Sequence, residues 1–214
     1  SPFIMQSTES AVNIALNSSL QRYGGDPAVG AMTICSSVMQ VVFMTLQGLA
    51  QGAQPIVSFN YGANQPDRVR KTFKLLLTTA LTATVLIWCF VQLFPEPFVA
   101  LFNDKPELTS LTVWALRIYM AGIFMVGIQT ACQLTFVALG QAKVSLFLAL
   151  LRKVILLIPL VFILPLFLAD KVFAVYLAEP IADIIAATCT GTVFFFRFNR
   201  ILRKREEEMA GQVH

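Results

Sequence analysis

Charge is what this chain of 214 residues has least of, at 13% Asp, Glu, Lys and Arg together. Soluble globular domains carry about 25%. Half the usual charge leaves too little polar surface to cover a water-soluble particle of this size. The composition therefore points to a bilayer as the solvent, in line with 57% hydrophobic residues and a mean hydropathy of +0.71. Histidine is nearly absent: the one present is the terminal His214. That removes Ser/His/Asp triads and leaves no histidine set for a metal. The four cysteines, Cys35, Cys89, Cys132 and Cys189, are far apart, form no CxxC pair and each lie in an apolar run. They read as small buried hydrophobes. There is no Gly-rich phosphate loop with a Lys, no HExxH and no GxSxG. An enzyme is not expected, nor is a cofactor or a resident metal. The net charge of +4 is interpreted by its placement and not as nucleic-acid binding. The opening "SPFIMQSTES" lacks both an initiator Met and a basic leader region, so further sequence upstream is expected.

What is present is a series of long apolar runs. Residues 28–61, 75–94, 108–139, 144–169 and 172–196 each reach the roughly 20 residues that cross about 30 Å of hydrocarbon. The first and third are long enough to require tilting or bending. A sixth segment, 2–20, is more polar and reads as a span lining a cavity. Short connections separate them: "QRYGGDPA", "GANQPDR", "FPEPFVALFNDKPE", "GQAK" and "LADK". None is long enough to divide the chain. The expected fold is all-α, a polytopic membrane bundle of about six spans over residues 1–196, followed by a tail over 197–214. The aromatics of "FVQLFPEPF" suit an interfacial belt.

Cations crowd alternate connections. Arg68, Arg70, Lys71 and Lys74 form one group. Lys143 with Arg152 and Lys153 forms a second, and the tail holds Arg197, Arg200, Arg203, Lys204 and Arg205. The opposite connections hold Arg22, Lys105 and Lys171, each beside an acid. The positive-inside rule places the cation-rich connections and the C-terminus in the cytoplasm. On this reading Arg152 and Lys153 mark the cytoplasmic end of the fifth span, whose remaining core Pro159 and Pro165 should bend.

Polar groups inside spans are costly in lipid and are the first functional candidates. Glu9 is the sharpest, an acid within an otherwise uncharged segment. Met5, Glu9, Asn13 and Asn17 follow i, i+4 spacing and share a helix face. A carboxylate backed by amides can hold a proton or a small cation, or pair with a cationic ligand. Gln40, Gln47, Gln51 and Gln54 form a stripe of amides on the second span, equally consistent with hydrogen bonding between helices. Gln129 and Gln133 repeat the i, i+4 pattern further on. Glu179 and Asp183, in "LAEPIADII", do so on the last span, where they could face a vestibule or cap the helix. Arg117 is expected to pair or snorkel.

One stretch is specific enough to carry a family. "GLAQGAQPIVSFNYGANQPDRVRKTFK" resembles the eighth transmembrane helix, and the loop after it, of the multidrug and toxic compound extrusion (MATE) family, in its bacterial drug-exporter branch. "SPFIMQSTES" resembles the seventh helix. "VALGQAKVSLFLALLRKVILLIPLVFILP" resembles the end of the tenth and the start of the eleventh, and "LAEPIADII" the twelfth. The resemblance covers essentially the whole chain, and residues 52–64 are its most specific part. It implies one six-helix lobe, the C-terminal one, of a two-lobe, twelve-span transporter in a bacterial plasma membrane, with the N-terminal lobe as its missing partner. It further implies antiport of cationic or amphipathic small molecules against protons or sodium. Glu9 matches a seventh-helix acid that some members use for coupling or cargo. Those sodium-driven members with a site in this lobe pair that acid with an Asp on the tenth helix. Residues 108–139 contain no acid, which argues against a sodium cage built wholly within this chain. The small residues Gly48, Gly52 and Gly62 with Pro55 resemble the family's close-packed helix ending in a tight cytoplasmic turn.

Two other readings remain open at this level. A lipid-linked sugar flippase of the same superfamily would be expected to show more cavity cations, and Arg117 is the only candidate. A non-transporting membrane scaffold would bury the Glu9 and Gln faces against protein.

Overall fold

The computed structural model describes residues 2–102 and 106–211. Lys105, one of the cations assigned to the outer connections, and His214 fall outside the described residues. Every element among the described residues is helical.

The first helix, α1, runs Pro2–Gly62. At about 1.5 Å per residue it would measure roughly 90 Å if straight, three times the hydrocarbon thickness. It does not stay straight. Gly25 has φ 64° and ψ −162°, the one break in helical geometry within α1, in a region of backbone space that glycine enters freely and other residues enter at a cost. The preceding Gly24 supplies room: a Cβ there would lie 2.9 Å from Val172 Cγ2. The two arms, 2–24 and 26–62, fold back on each other. Val12, Leu16 and Leu20 of the first share one apolar core with Ala31, Cys35, Val38 and Val42 of the second. Pro55 sits in helical geometry.

The turn after α1 is shorter than the sequence suggested. Helix α2 spans Pro66–Leu93, with Pro at its first turn, where a missing N–H costs nothing. Asn64 supplies the left-handed residue of the turn, φ 53°, a conformation Asn tolerates. Arg68, Arg70, Lys71 and Lys74 therefore lie on the first turns of a helix and not in a loop. A short α3 (Pro95–Ala100) follows. Next, α4 (Pro106–Tyr119) and α5 (Val126–Ala138) flank a tight turn at Ile123–Met125 and bend by 42° as one broken span. Gly127 lets α5 approach α2 closely, since a Cβ there would lie 2.8 Å from the Ala80 carbonyl oxygen.

The fifth span is built from α6 (Ala142–Leu150), a wider π-type turn over Leu151–Leu157, and α7 (Ile158–Phe167). Pro159, just beyond the wide turn, can donate no hydrogen bond and crowds the carbonyl four residues back. Widening the helix ahead of it relieves that crowding. Last, α8 runs Lys171–Gly211 and passes residue 196 without a break.

Among the described residues, four helices can cross a membrane by length and composition, or five if the bent pair α4 and α5 counts as one span. The first of these covers both arms of α1. The connections sort to two ends. At one end Val57, Val69, Leu139, Val144 and Leu202 share a core, and Phe73 and Phe198 stack on Phe194 with centroids 4.4 and 4.7 Å away. At the other end the Tyr176 hydroxyl donates to the Ala28 carbonyl at 2.7 Å. Arg68 to Lys74, Lys143 and the basic end of α8 thus gather at the first end, while Arg22 and Lys171 lie at the second.

Candidate functional site: a charged cluster inside the spans

The sequence placed Arg152 and Lys153 at a membrane boundary. The structure corrects this: both sit in the wide turn near the middle of the 142–167 span. Arg152 is 5% exposed. Its Nε donates to Asp183 Oδ1 at 2.5 Å and its Nη2 to Glu179 Oε1 at 2.8 Å. Glu179 and Asp183 lie one turn apart on α8, so both carboxylates face the same way, and both are buried. The Arg152 guanidinium also lies 5.2 Å from the Phe43 ring centroid, within range of cation–π attraction. Tyr119 is buried on α4. Gly122 allows α8 in at this level: a Cβ on it would lie 2.8 Å from the Pro180 carbonyl oxygen and 3.2 Å from Asp183 Cβ.

Lys153 points to a different helix. Its ammonium pairs with the Glu9 carboxylate of α1. This pair is wetter than its neighbour, with the Glu9 side chain 46% exposed and that of Lys153 26%. Neighbouring residues of one wide turn therefore tie α8 and α1 together. Arg152 does so through a dry bidentate contact and Lys153 through a half-open one. The whole cluster holds three carboxylates, Glu9, Glu179 and Asp183, against two cations, Arg152 and Lys153. Asp183 Oδ2 is buried with no hydrogen-bond partner.

The other sequence candidates divide into two sets. Asn13, Asn17, Gln40, Gln47 and Gln51 are exposed along the two arms of α1, and Gln54 is half-buried. Gln129 is buried and Gln133 half-buried on α5; Gln129 Oε1 and Gln133 Nε2 lack hydrogen-bond partners. The structure brings Glu9 together with Glu179 and Asp183 through the adjacent cations. It leaves the α1 amides on an open face and the α5 amides in the interior. Arg117 is exposed. Sequence reasoning missed Arg152 and Lys153 as members of a site. The signal was available: "LALLRKVILL" sets two cations between apolar runs on both sides, and "LAEPIADII" sets two acids in another.

A family model described as MatE matches residues 2–163. The chain belongs to the MATE family. Among curated relatives it is 23% identical over 186 residues to the "Multidrug export protein MepA" of Staphylococcus haemolyticus, covering 86% of this chain and 40% of the relative. The MepA protein of Staphylococcus aureus strain N315 is 24% identical over 188 residues, covering 86% and 41%. The chain thus spans about 40% of the length of these relatives. Among solved structures, the MATE multidrug transporter DinF-BH is 35% identical with a TM-score of 0.78, covering 94% of this chain and 44% of that one. An outward-facing MATE family transporter of the MOP superfamily is 17% identical with a TM-score of 0.85, covering 94% and 45%. MATE proteins are membrane transporters and not enzymes, in agreement with the absence of catalytic motifs. The described helices form a bundle whose extent fits one lobe of such a transporter.

Proposed function

We propose that this MATE chain forms the C-terminal six-span lobe of a bacterial multidrug exporter. Paired with an N-terminal lobe, it exports cationic or amphipathic small molecules by antiport against protons or sodium. The observation that carries the reading is Glu9: a half-exposed carboxylate inside a span, on an arm whose exposed side also carries Asn13 and Asn17. Lipid would not stabilise such a face; a hydrated cavity shared with a second lobe would. Gln40, Gln47 and Gln51 are exposed on the second arm and are assigned to the same cavity, with Gln129 and Gln133 of α5 as interior amides. Glu179 and Asp183 serve through Arg152 and not by direct cargo contact, because both are buried. Relatives that are multidrug export proteins support the same assignment.

The flippase reading needs cavity cations for a pyrophosphate. Arg152 and Lys153 add to Arg117 as basic groups, but three acids meet those two cations. A cluster with that balance repels phosphate. Drug export therefore stays the stronger reading. The test is purified transporter in liposomes loaded with a fluorescent organic cation. Efflux should start when an inward proton or sodium gradient is imposed, and the gradient that works identifies the ion. Absence of efflux under both gradients by well-folded protein would reject the proposal.

Orientation is part of the same proposal. The end holding residues 63–65 and the basic end of α8 lies in the cytoplasm, because its cations outnumber those at the other end. A cysteine introduced at Gln65 should be labelled by an impermeant maleimide only after the cells are opened. Labelling from outside intact cells would invert the assignment.

A further inference from the structure

The charge cluster is one positive charge short. Among the described residues, Glu9, Glu179 and Asp183 form ion pairs with Arg152 and Lys153 alone, and an uncompensated charge within a span is costly. The imbalance is not spread evenly. Arg152 is committed, buried and held by two carboxylates. Lys153 is not. It sits on a flexible four-carbon stem, its side chain is 26% exposed, and it holds one carboxylate that is itself half open. Glu179 and Asp183 meet its neighbour Arg152 on the same wide turn, and Asp183 Oδ2 has no hydrogen-bond partner.

We propose that Lys153 is a tethered competitor at the cargo site: it occupies Glu9 in the empty transporter, and a monovalent organic cation displaces it. The displaced ammonium turns towards Glu179 and Asp183. Before exchange, Lys153 balances Glu9 while Arg152 faces two acids alone. After exchange, the cargo balances Glu9, and Arg152 and Lys153 together balance Glu179 and Asp183. No covalent bond forms or breaks, and no proton need leave. One positive charge completes the set and two would overshoot it, so the cluster selects monovalent cargo. The exchange also alters the link between α1 and the wide turn of the fifth span. It breaks the ion pair between them, leaves the Arg152–Phe43 contact in place, and draws Lys153 towards α8, a local change that reports cargo occupancy to the helices behind the cavity.

This rests on the assignment of cationic export, and the test separates the two. Binding of tetraphenylphosphonium, which carries a permanent single charge, is measured on purified transporter, with the neutral triphenylphosphine oxide as control. Wild type should bind the cation, and Glu9→Gln should lose it. Lys153→Met removes the competitor while keeping the apolar stem. It should bind the cation about tenfold more tightly, the gain expected if Glu9 is free about a tenth of the time in wild type. Its binding of the neutral control should not change. Lys153→Arg keeps the competing charge and should not gain affinity. If Lys153→Met does not run as a single species in gel filtration, Lys153→Gln replaces it in the same comparison. No binding by wild type would overturn the export assignment itself. Binding that depends on Glu9 but is not tightened by either neutral substitution would overturn the competitor and leave the export assignment standing.

Discussion

Arg152→Met is expected to cost about 3–5 kcal/mol of stability, the loss typical when one partner of a buried ion pair is removed. The reason is what remains. Glu179 and Asp183 are buried, the latter fully, and both lose the donor that holds their charge. Water cannot replace it without opening the packing between α8 and the wide turn. Met fills much of the arginine's apolar volume, so the loss measures charge and not a cavity. Gel-filtration yield and thermal midpoint of the purified variant report it, and both should fall sharply. Adding Glu179→Gln and Asp183→Asn to Arg152→Met removes the stranded charges and should recover most of the midpoint. Recovery would show that the network is needed for its balance and not for its identity. A single Arg152→Met variant as stable as wild type would mean the three groups are not a charged unit in the membrane.

Glu9→Gln should reduce organic-cation export to near the level of cells without the transporter while leaving membrane abundance close to normal. Gln keeps the size of the side chain and its hydrogen-bonding capacity, and only the charge is lost. A tenfold loss in cation affinity corresponds to about 1.4 kcal/mol, a modest demand on a carboxylate in a partly desolvated site. The substitution also leaves Lys153 without its carboxylate partner, which could lower abundance by itself. The double variant Glu9→Gln with Lys153→Met removes both charges and isolates the effect. It should be as abundant as wild type and still fail to export. Drug-resistance growth assays with quantified membrane protein give both readouts. Normal cation export by an abundant Glu9→Gln protein would end the proposed role of Glu9.

Much of the architecture was legible because lipid is a demanding solvent. Backbone groups in hydrocarbon must bond internally, so long apolar runs could only be helices, and the span near 172–196 was placed with its start at α8. The α1 hairpin was legible from Gly24–Gly25, although the turn proved to need one non-helical residue. Boundaries were less legible where helices continue into water. The cations after Pro66 looked like loop residues by composition, yet Pro at a first turn favours helix and α2 takes them in. The tail after 196 continues α8 for the same reason: nothing in "RFNRILRKREEE" breaks a helix.

By itself the sequence determined the solvent, the spans, the clustering of cations on alternate connections and the singling out of Glu9, since each depends on local composition or on spacing along one helix. Only the tertiary structure decided what Arg152 and Lys153 are. A cation beside an apolar run can snorkel to an interface or stay inside if a carboxylate meets it. The carboxylates that meet these two come from α8 and from the far end of the chain, at Glu9. Their arrival depends on how α1 folds back at Gly25 and how closely α8 packs past Gly122. The same packing divided the amides between an open face on α1 and the interior at α5. Spacing along a helix shows which residues share a side, but which side is covered is set by the neighbouring helices.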